Sequence, residues 1–469
     1  MTTGGERVGP VLFFRGMEGQ GVRLAALLIC PAGEQPGALR AGGQDVAPQR
    51  LTSCAGRVAW RYDFALGAGD PAYALGGVSY AVSLPTQGDI SIAYVSCNGQ
   101  EHGDWDRPAD LRNAMWQRLA RRHAATPFCL LLMGGDQVYA DAATDGHPLT
   151  NDWPEHIPRA PSPEALRGLE THLRERFFDL YLRGFAAGPC AQLVARVPQL
   201  SMWDDHDICD GWGSLSSEAT HSAIGQCLFH VAREMALLFQ HGAVEADAPQ
   251  LFLDPGGQSL SWRHALPGVT LLAPDLRSER GRRQVMGLEG WKGVEETQGG
   301  GRMFLLSSVP LLGPRLSLIE GAMMAIPKMQ KYEDDLRDQW QSRAHRAEWR
   351  RMLCEVLRMH ARGPVTVLSG EIHLATRAEM TTPDGPLHQL VASGISHGAP
   401  SVWYARALGL LSGLGEAPLE RHPIRILPLP GQRRRYVAQR NFLALERRGG
   451  EWRAIWELEE TGPTPPLAI

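Results

Sequence analysis

What the 469-residue chain lacks narrows its function first. Its eight cysteines, Cys30, Cys54, Cys97, Cys129, Cys190, Cys209, Cys227 and Cys354, include no Cys-x-x-Cys pair, which argues against a zinc ribbon or a thioredoxin-like site. In a chain of this length, scattered thiols are expected to be reduced, in a cytosolic protein. The opening residues MTTGGERVGPVLFFRG lack the basic start and long apolar run of a secretory signal. No apolar run is long enough to cross a bilayer. A soluble, cytoplasmic protein without a membrane partner is therefore expected. Lysine is nearly absent: Lys292, Lys328 and Lys331 are the only three, and the other basic residues are arginine. Genome composition explains that bias; anion binding by guanidinium groups is the functional alternative. The formal net charge of −4 gives no reason to expect nucleic acid as a partner. A P-loop, a G-x-G-x-x-G signature, internal repeats and long low-complexity tracts are also missing.

What is present changes character along the chain. Up to about Leu84, short apolar runs such as VRLAALLIC and RVAWRYDFAL alternate with glycine and proline, so residues 1–88 are expected to form a small β-sandwich-like domain. PTQGD, Pro85 to Asp89, reads as a linker. From there to about residue 405, strand-like runs alternate with helical stripes, which predicts an α/β core. Leu111, Met115 and Leu119 mark one helix; Leu166, Leu169, Leu173, Phe177 and Leu180 mark a second. The longest helical pattern runs from Tyr332 to Arg362. Met286 to Gly301 reads as a mobile loop. Residues 406–469 are expected to form a β-rich extension ending in a hairpin around Gly449 and Gly450.

The chemistry-bearing residues gather at the ends of apolar runs. Four such runs end in metal-ligand chemistry: YVSCNG (Cys97, Asn98), LLMGGDQVY (Asp136, Tyr139), SMWDDHD (Asp204, Asp205, His206) and VTVLSGEIH (Glu371, His373). In open α/β sheets ligands bind at the carboxyl ends of strands. If these strands share a sheet, carboxylate, imidazole, phenol and thiolate converge, and imidazole and thiolate favour a transition metal over magnesium. Each piece has a plainer reading of its own. Gly-Asp is a common turn, Trp-Asp-Asp-His suits a helix cap, and Cys97 suits a core position. All four together are hard to reach by accident.

As an ordered set, GGDQVY, WDDHD and SGEIHLA resemble the motifs of calcineurin-like metallophosphoesterases. VSCNG in place of the first Asp-x-His, with WDDHD and DLRSER, resembles the PhoD-like (alkaline phosphatase D) family more closely. The resemblance runs from about Ser96 to Ala375. It implies a four-layer α/β/β/α sandwich flanked by the small β-domain and the hairpin. It implies two or more metal ions, Fe(III) with a divalent ion such as Ca, Zn or Mn. Asp136 would bridge them; Cys97, Tyr139 and His373 would hold the first and Asp205 the second. Glu371 stands where the family has aspartate, one methylene longer. His206 and Asn98 would face the substrate phosphate, and Arg277 would clamp a phosphate oxygen with its guanidinium fork. An ion pair with Asp275 is the structural alternative for Arg277. Smaller signals are Glu101, His102 and Asp104 at an entrance and His397 after an apolar run.

The implied reaction is hydrolysis of a small phosphate ester by metal-activated water, with a phosphomonoesterase ahead of a phosphodiesterase of phospholipase D-like type. The alternative from another class is a binding or scaffold protein with a decayed metal site.

Overall fold

The structure, a computed structural model, describes residues 6–99, 107–314 and 338–469. Two sheets form its framework. In the eleven-stranded sheet, Ile90–Val95, Leu130–Gly134 and Gln199–Met202 lie side by side and run parallel. In the seven-stranded sheet, Val269–Ala273, Arg302–Ser307, Val365–Ser369 and Leu387–Val391 run parallel. Every residue of Ile90–Val95, Leu130–Gly134 and Val365–Ser369 is buried. That is why these segments read as continuous apolar runs: both faces of a parallel strand are covered.

Alternation along single strands shows the layering. In Arg302–Ser307, Phe304 and Leu306 join the core between the sheets, where Phe304 meets Trp452 edge-to-face at 4.9 Å. Met303 and Leu305 join a second core with Trp349, Met352, Leu353 and Val356 of helix Arg346–His360. Leu368 and Val367 divide in the same way on the next strand. Side chains that alternate faces therefore glue sheet to sheet on one side and sheet to helix on the other. Helix Pro163–Ala186 packs on the larger sheet through Leu169, Leu173 and Phe177. Its start is set locally: Pro163 opens it, and the Ser162 hydroxyl accepts from the Ala165 N–H at 3.2 Å. The α/β/β/α sandwich is the fold expected from the motifs.

Four expectations are corrected. Val8–Glu18, Gly21–Pro31, Gln49–Cys54 and Arg57–Leu66 do not form a separate N-terminal sandwich; they extend the larger sheet beyond Gln199–Met202. What stands apart is a four-stranded sheet of Leu39–Ala41, Gln44–Val46, Ala72–Leu75 and Val78–Ala81. The hairpin Asn441–Arg448 and Glu451–Leu458 is present around Gly449–Gly450, but it pairs with Ile90–Val95 and is part of the same sheet. Local alternation announces a strand without announcing its neighbour. Of the helical pattern expected from Tyr332 to Arg362, Tyr332 and Leu336 lie outside the described residues, Trp340 lies in a turn, and the described helix is Arg346–His360. Within Met286 to Gly301, Leu288–Glu295 is a helix that buries Trp291. Among the described residues no helix is long and apolar enough to cross a membrane.

Candidate metal centre

The parallel strands of both sheets deliver their carboxyl ends to one place. Ile90–Val95 leads to Cys97 and Asn98, Leu130–Gly134 to Asp136 and Tyr139, and Gln199–Met202 to Asp204, Asp205 and His206. The facing sheet adds Ser308, then Glu371 and His373, then Ser393, Ser396 and His397.

The backbone is strained where these side chains turn inward. Six described non-glycine residues have positive φ, and four are predicted ligands: Cys97 (54°), Asp136 (55°), Glu371 (64°) and His373 (53°). A left-handed conformation is disfavoured for such residues and persists where surrounding contacts enforce it, often at functional sites. Gly135, at φ 109°, lets the chain pass Asp204: a Cβ there would lie 2.8 Å from the Asp204 Cβ.

The side chains meet as follows. One carboxylate oxygen from each of Asp136, Asp204 and Asp205 lies within 4.8 Å of the others. The Cys97 thiol lies 3.4 Å from Asp136 Oδ2 and 3.1 Å from the Ser393 hydroxyl. Tyr139 Oη is 3.5 Å from His373 Nε2, and the Tyr139 ring packs on His206 at 4.2 Å. His373 stacks on His397 at 3.8 Å. Asp141 Oδ2 lies 2.9 Å from His206 Nδ1, and Asp141 also accepts the Asp210 N–H at 2.6 Å. Asp207, fully buried, accepts from the Gln137, Val138 and Asp204 backbones and so ties two strand ends together.

Two predicted residues are engaged elsewhere. Arg277 is 0% exposed. Its guanidinium pairs with Asp204, with Asp338 at 2.6 Å and with Asp205 at 3.3 Å, and it donates to the Trp212 carbonyl at 3.0 Å. It is an internal counter-ion and not an open phosphate clamp. Asp275 accepts from the Arg277 backbone N–H at 2.9 Å rather than from its side chain. Glu371 is not gathered with the three aspartates: the Gln339 amide donates to both its carboxylate oxygens, at 2.8 and 2.9 Å. Asn98 sits at the wall of the site, where its Oδ1 accepts from Trp116 Nε1 at 2.6 Å and the Ser396 hydroxyl at 2.9 Å. Glu101, His102 and Asp104 lie outside the described residues.

The residues present fit a cation. Asp136 Oδ1, Asp204 Oδ2 and His373 Nδ1 are buried and have no hydrogen-bond partner among the described residues. Burial pushes the Asp136 and Glu371 carboxyls well above the ordinary carboxylate range, and Asp204 up to about 6 despite Arg277. Burial, with His397 and His206 beside it, holds His373 well below the usual histidine value, so the ring is neutral and able to ligate. Burial works against charge on His206 too, yet Asp205, Asp141 and Asp136 hold its pKa well above 6.5. A pocket that opposes several carboxylate charges at once is one that positive charge would stabilise.

The ligand set implied by the resemblance left out Asp204, and Asp141, Ser393, Gln339 and Asp338 were not assigned to the site. Asp204 stood in the WDDHD motif and Asp141 lies two residues beyond GGDQVY; the other three come from distant segments without a local signal. His397, the smaller signal after an apolar run, contacts the Gly398 carbonyl at 2.9 Å, and its ring stacks on His373 at the site. Gly394 to Gly398 spells Gly-x-Ser-x-Gly. Ser396 donates to Asn98, and the next helix, Val402–Leu411, does not follow it directly, so it is no nucleophile elbow.

Residues 107–333 match the family of PhoD-related phosphatases. That span holds Asp136, Tyr139, Asp205, His206 and Arg277, with Cys97 before it and Glu371 and His373 after. The fold is similar to that of PhoD, with a TM-score of 0.61 over 100% of this chain and 89% of that one, at 12% identity. A dimetal phosphatase from Danio rerio aligns at a TM-score of 0.36 and 10% identity over 81% of this chain and 98% of that one, too loosely to carry an argument. An uncharacterized protein of Saccharomyces cerevisiae is 23% identical over 356 residues, 62% of this chain and 50% of that protein. The chain spans about half the length of that curated relative. The resemblance read from the motifs is thus met by a family match and by the fold.

Proposed function

We propose that the chain is a metal-dependent phosphoric ester hydrolase, a phosphomonoesterase acting on a small phosphate ester. The observation that carries this reading is the buried convergence of Asp136, Asp204 and Asp205. The Cys97 thiol, the Tyr139 phenol and the neutral His373 border it from strand ends of both sheets. Thiolate, phenolate and imidazole together suit a transition metal such as Fe(III); the aspartates suit a divalent ion such as Ca, Zn or Mn. Asp136, at the meeting point of the two donor sets, would be held in common by both ions. Such ions supply the positive charge that phosphate oxygens and an attacking water require.

The chain's own residues do the rest. Asp141 as acceptor fixes the proton on His206 Nδ1 and orients the ring beside Tyr139. Nε2 is then the His206 atom that can hand a proton to the leaving alkoxide. Arg277 and Ser308 hold Asp204 by its Oδ1 and leave Oδ2 free to face the site. Gln339 orients Glu371 from behind, a supporting role for an acid one methylene too long to sit among the aspartates. A cytoplasmic location belongs to the same proposal, supported by eight free cysteines, six of them buried.

The test is metal content by mass spectrometry on chelator-free protein beside Asp136→Ala, followed by turnover of p-nitrophenyl phosphate against bis(p-nitrophenyl) phosphate. About one or more transition-metal ions per chain, lost in the variant, with the monoester turned over faster, supports the proposal. Faster turnover of the diester replaces the monoesterase with a phosphodiesterase. A chain that takes up no metal on reconstitution leaves the scaffold reading in front.

A further inference from the structure

A cavity of about 420 Å³ lies against the wall of the candidate metal centre. Small-molecule sites span roughly 300–1,000 Å³. Asn98, Tyr139 and Ser396 belong to both the cavity and the centre. From there it extends along helix Pro163–Ala186, past Leu180, Leu182 and Gly184. Its lining is mostly apolar, with buried Trp116 and Val138 among it.

Two features point to a ligand. The first is Gln137. It is 4% exposed and lines the cavity, and neither its Nε2 nor its Oε1 has a hydrogen-bond partner among the described residues. A buried amide left with both groups unmet costs free energy, so one in a ready-made cavity marks a place where a complementary donor and acceptor belong. The second is charge. Arg57, Arg112 and Arg183 line the cavity, and no carboxylate does among the described residues. Arg183 is paired to Asp179, and Arg57 donates to the Glu6 carbonyl, so these two guanidiniums are held in place at the cavity's edge.

We propose that this cavity holds the organic part of the substrate: a flat, largely apolar group with a donor and an acceptor side by side, attached to phosphate. A nucleobase edge and an aromatic carboxamide share that chemistry. Calling the ligand a substrate rests on the hydrolase reading; the cavity's preference for such an anion does not.

The test is calorimetric binding to the full chain with metal chelated, using three probes: inorganic phosphate, 1-naphthyl phosphate and adenosine 5′-monophosphate. Two variants accompany it. Gln137→Met removes the amide at similar volume. Gly184→Leu fills the cavity, and a Cβ at Gly184 meets nothing within 4 Å. Wild type is expected to bind the nucleotide at least tenfold tighter than inorganic phosphate. Gln137→Met should lose about tenfold for the nucleotide and little for 1-naphthyl phosphate. Gly184→Leu should weaken both organic anions and spare inorganic phosphate. Equal binding of all three probes, or organic-anion binding untouched by both variants, overturns the proposal and leaves a water-filled void. If the nucleotide binds without any ester being turned over by metal-loaded protein, the hydrolase reading fails while the ligand class stands.

Discussion

Replacing Arg277 by methionine separates a structural arginine from a substrate clamp. Arg277 is fully buried, and so, to 8% exposure or less, are its partners Asp204, Asp205 and Asp338. Arg280 reaches Asp338 at 3.0 Å but does not contact the other two in the ion-pair geometry. Methionine would leave Asp204 and Asp205 in a low-dielectric pocket without their cation. Removing one partner of a buried ion pair costs about 3–5 kcal/mol. A typical domain has only ~5–15 kcal/mol in all. In urea titrations of chelated protein, followed by tryptophan fluorescence, Arg277→Met should therefore lose about 3–5 kcal/mol. Trp212, whose carbonyl accepts from Arg277, lies beside the change. Adding Asp204→Asn should recover part of the loss, because it removes one of the two carboxylates left without a cation. A phosphate clamp behaves differently. Such a variant would keep wild-type stability to within about 0.5 kcal/mol and would lose inhibition by inorganic phosphate. That outcome would refute the reasoning given for Arg277.

Three further outcomes are expected. Asp136→Ala should abolish metal binding yet leave the chelated protein as stable as wild type or more so, since burial disfavours the Asp136 charge; melting with and without metal checks both halves. Gly135→Ala should cost roughly 1–3 kcal/mol from the positive φ, and weaken metal affinity, because its Cβ would push on Asp204; isothermal titration with the metal reads the second effect. His241 is buried, and burial, with Arg15 nearby, lowers its pKa to about 3. With the folded value below the unfolded ~6.5, its contribution to stability is complete above pH 6.5 and is lost as pH falls toward 3. The full loss is at most about 5 kcal/mol. His241→Gln should make stability fall less steeply between pH 6.5 and 4, and an unchanged slope in urea titrations would remove His241 from the account.

Much was legible in the chain itself. Apolar runs that end in ligand-type side chains identified the four strand ends, because a parallel strand buried on both faces must be apolar throughout and can place polar groups only beyond its end. Cys97, Asp136, Tyr139, Asp205, His206 and His373 are found at those ends, and the helix face Leu169, Leu173 and Phe177 is buried as its spacing requires. The number of sheets, and which strands share one, depended on pairing between segments far apart in sequence. Strands of residues 1–88 and the C-terminal hairpin look alike locally whether they stand alone or extend a central sheet.

The roles of Arg277, Gln339 and Ser393 were set by tertiary contact alone. An arginine beside a site reads as a clamp until three carboxylates from two other segments close around it. Sequence by itself thus determined which chemistry the chain carries and at which strand ends, since periodicity and burial are local properties. Only the tertiary structure decided which of those groups face one another and which are already spent on one another. Charge pairing and hydrogen bonding are satisfied across the fold, between residues whose separation along the chain carries no trace of it.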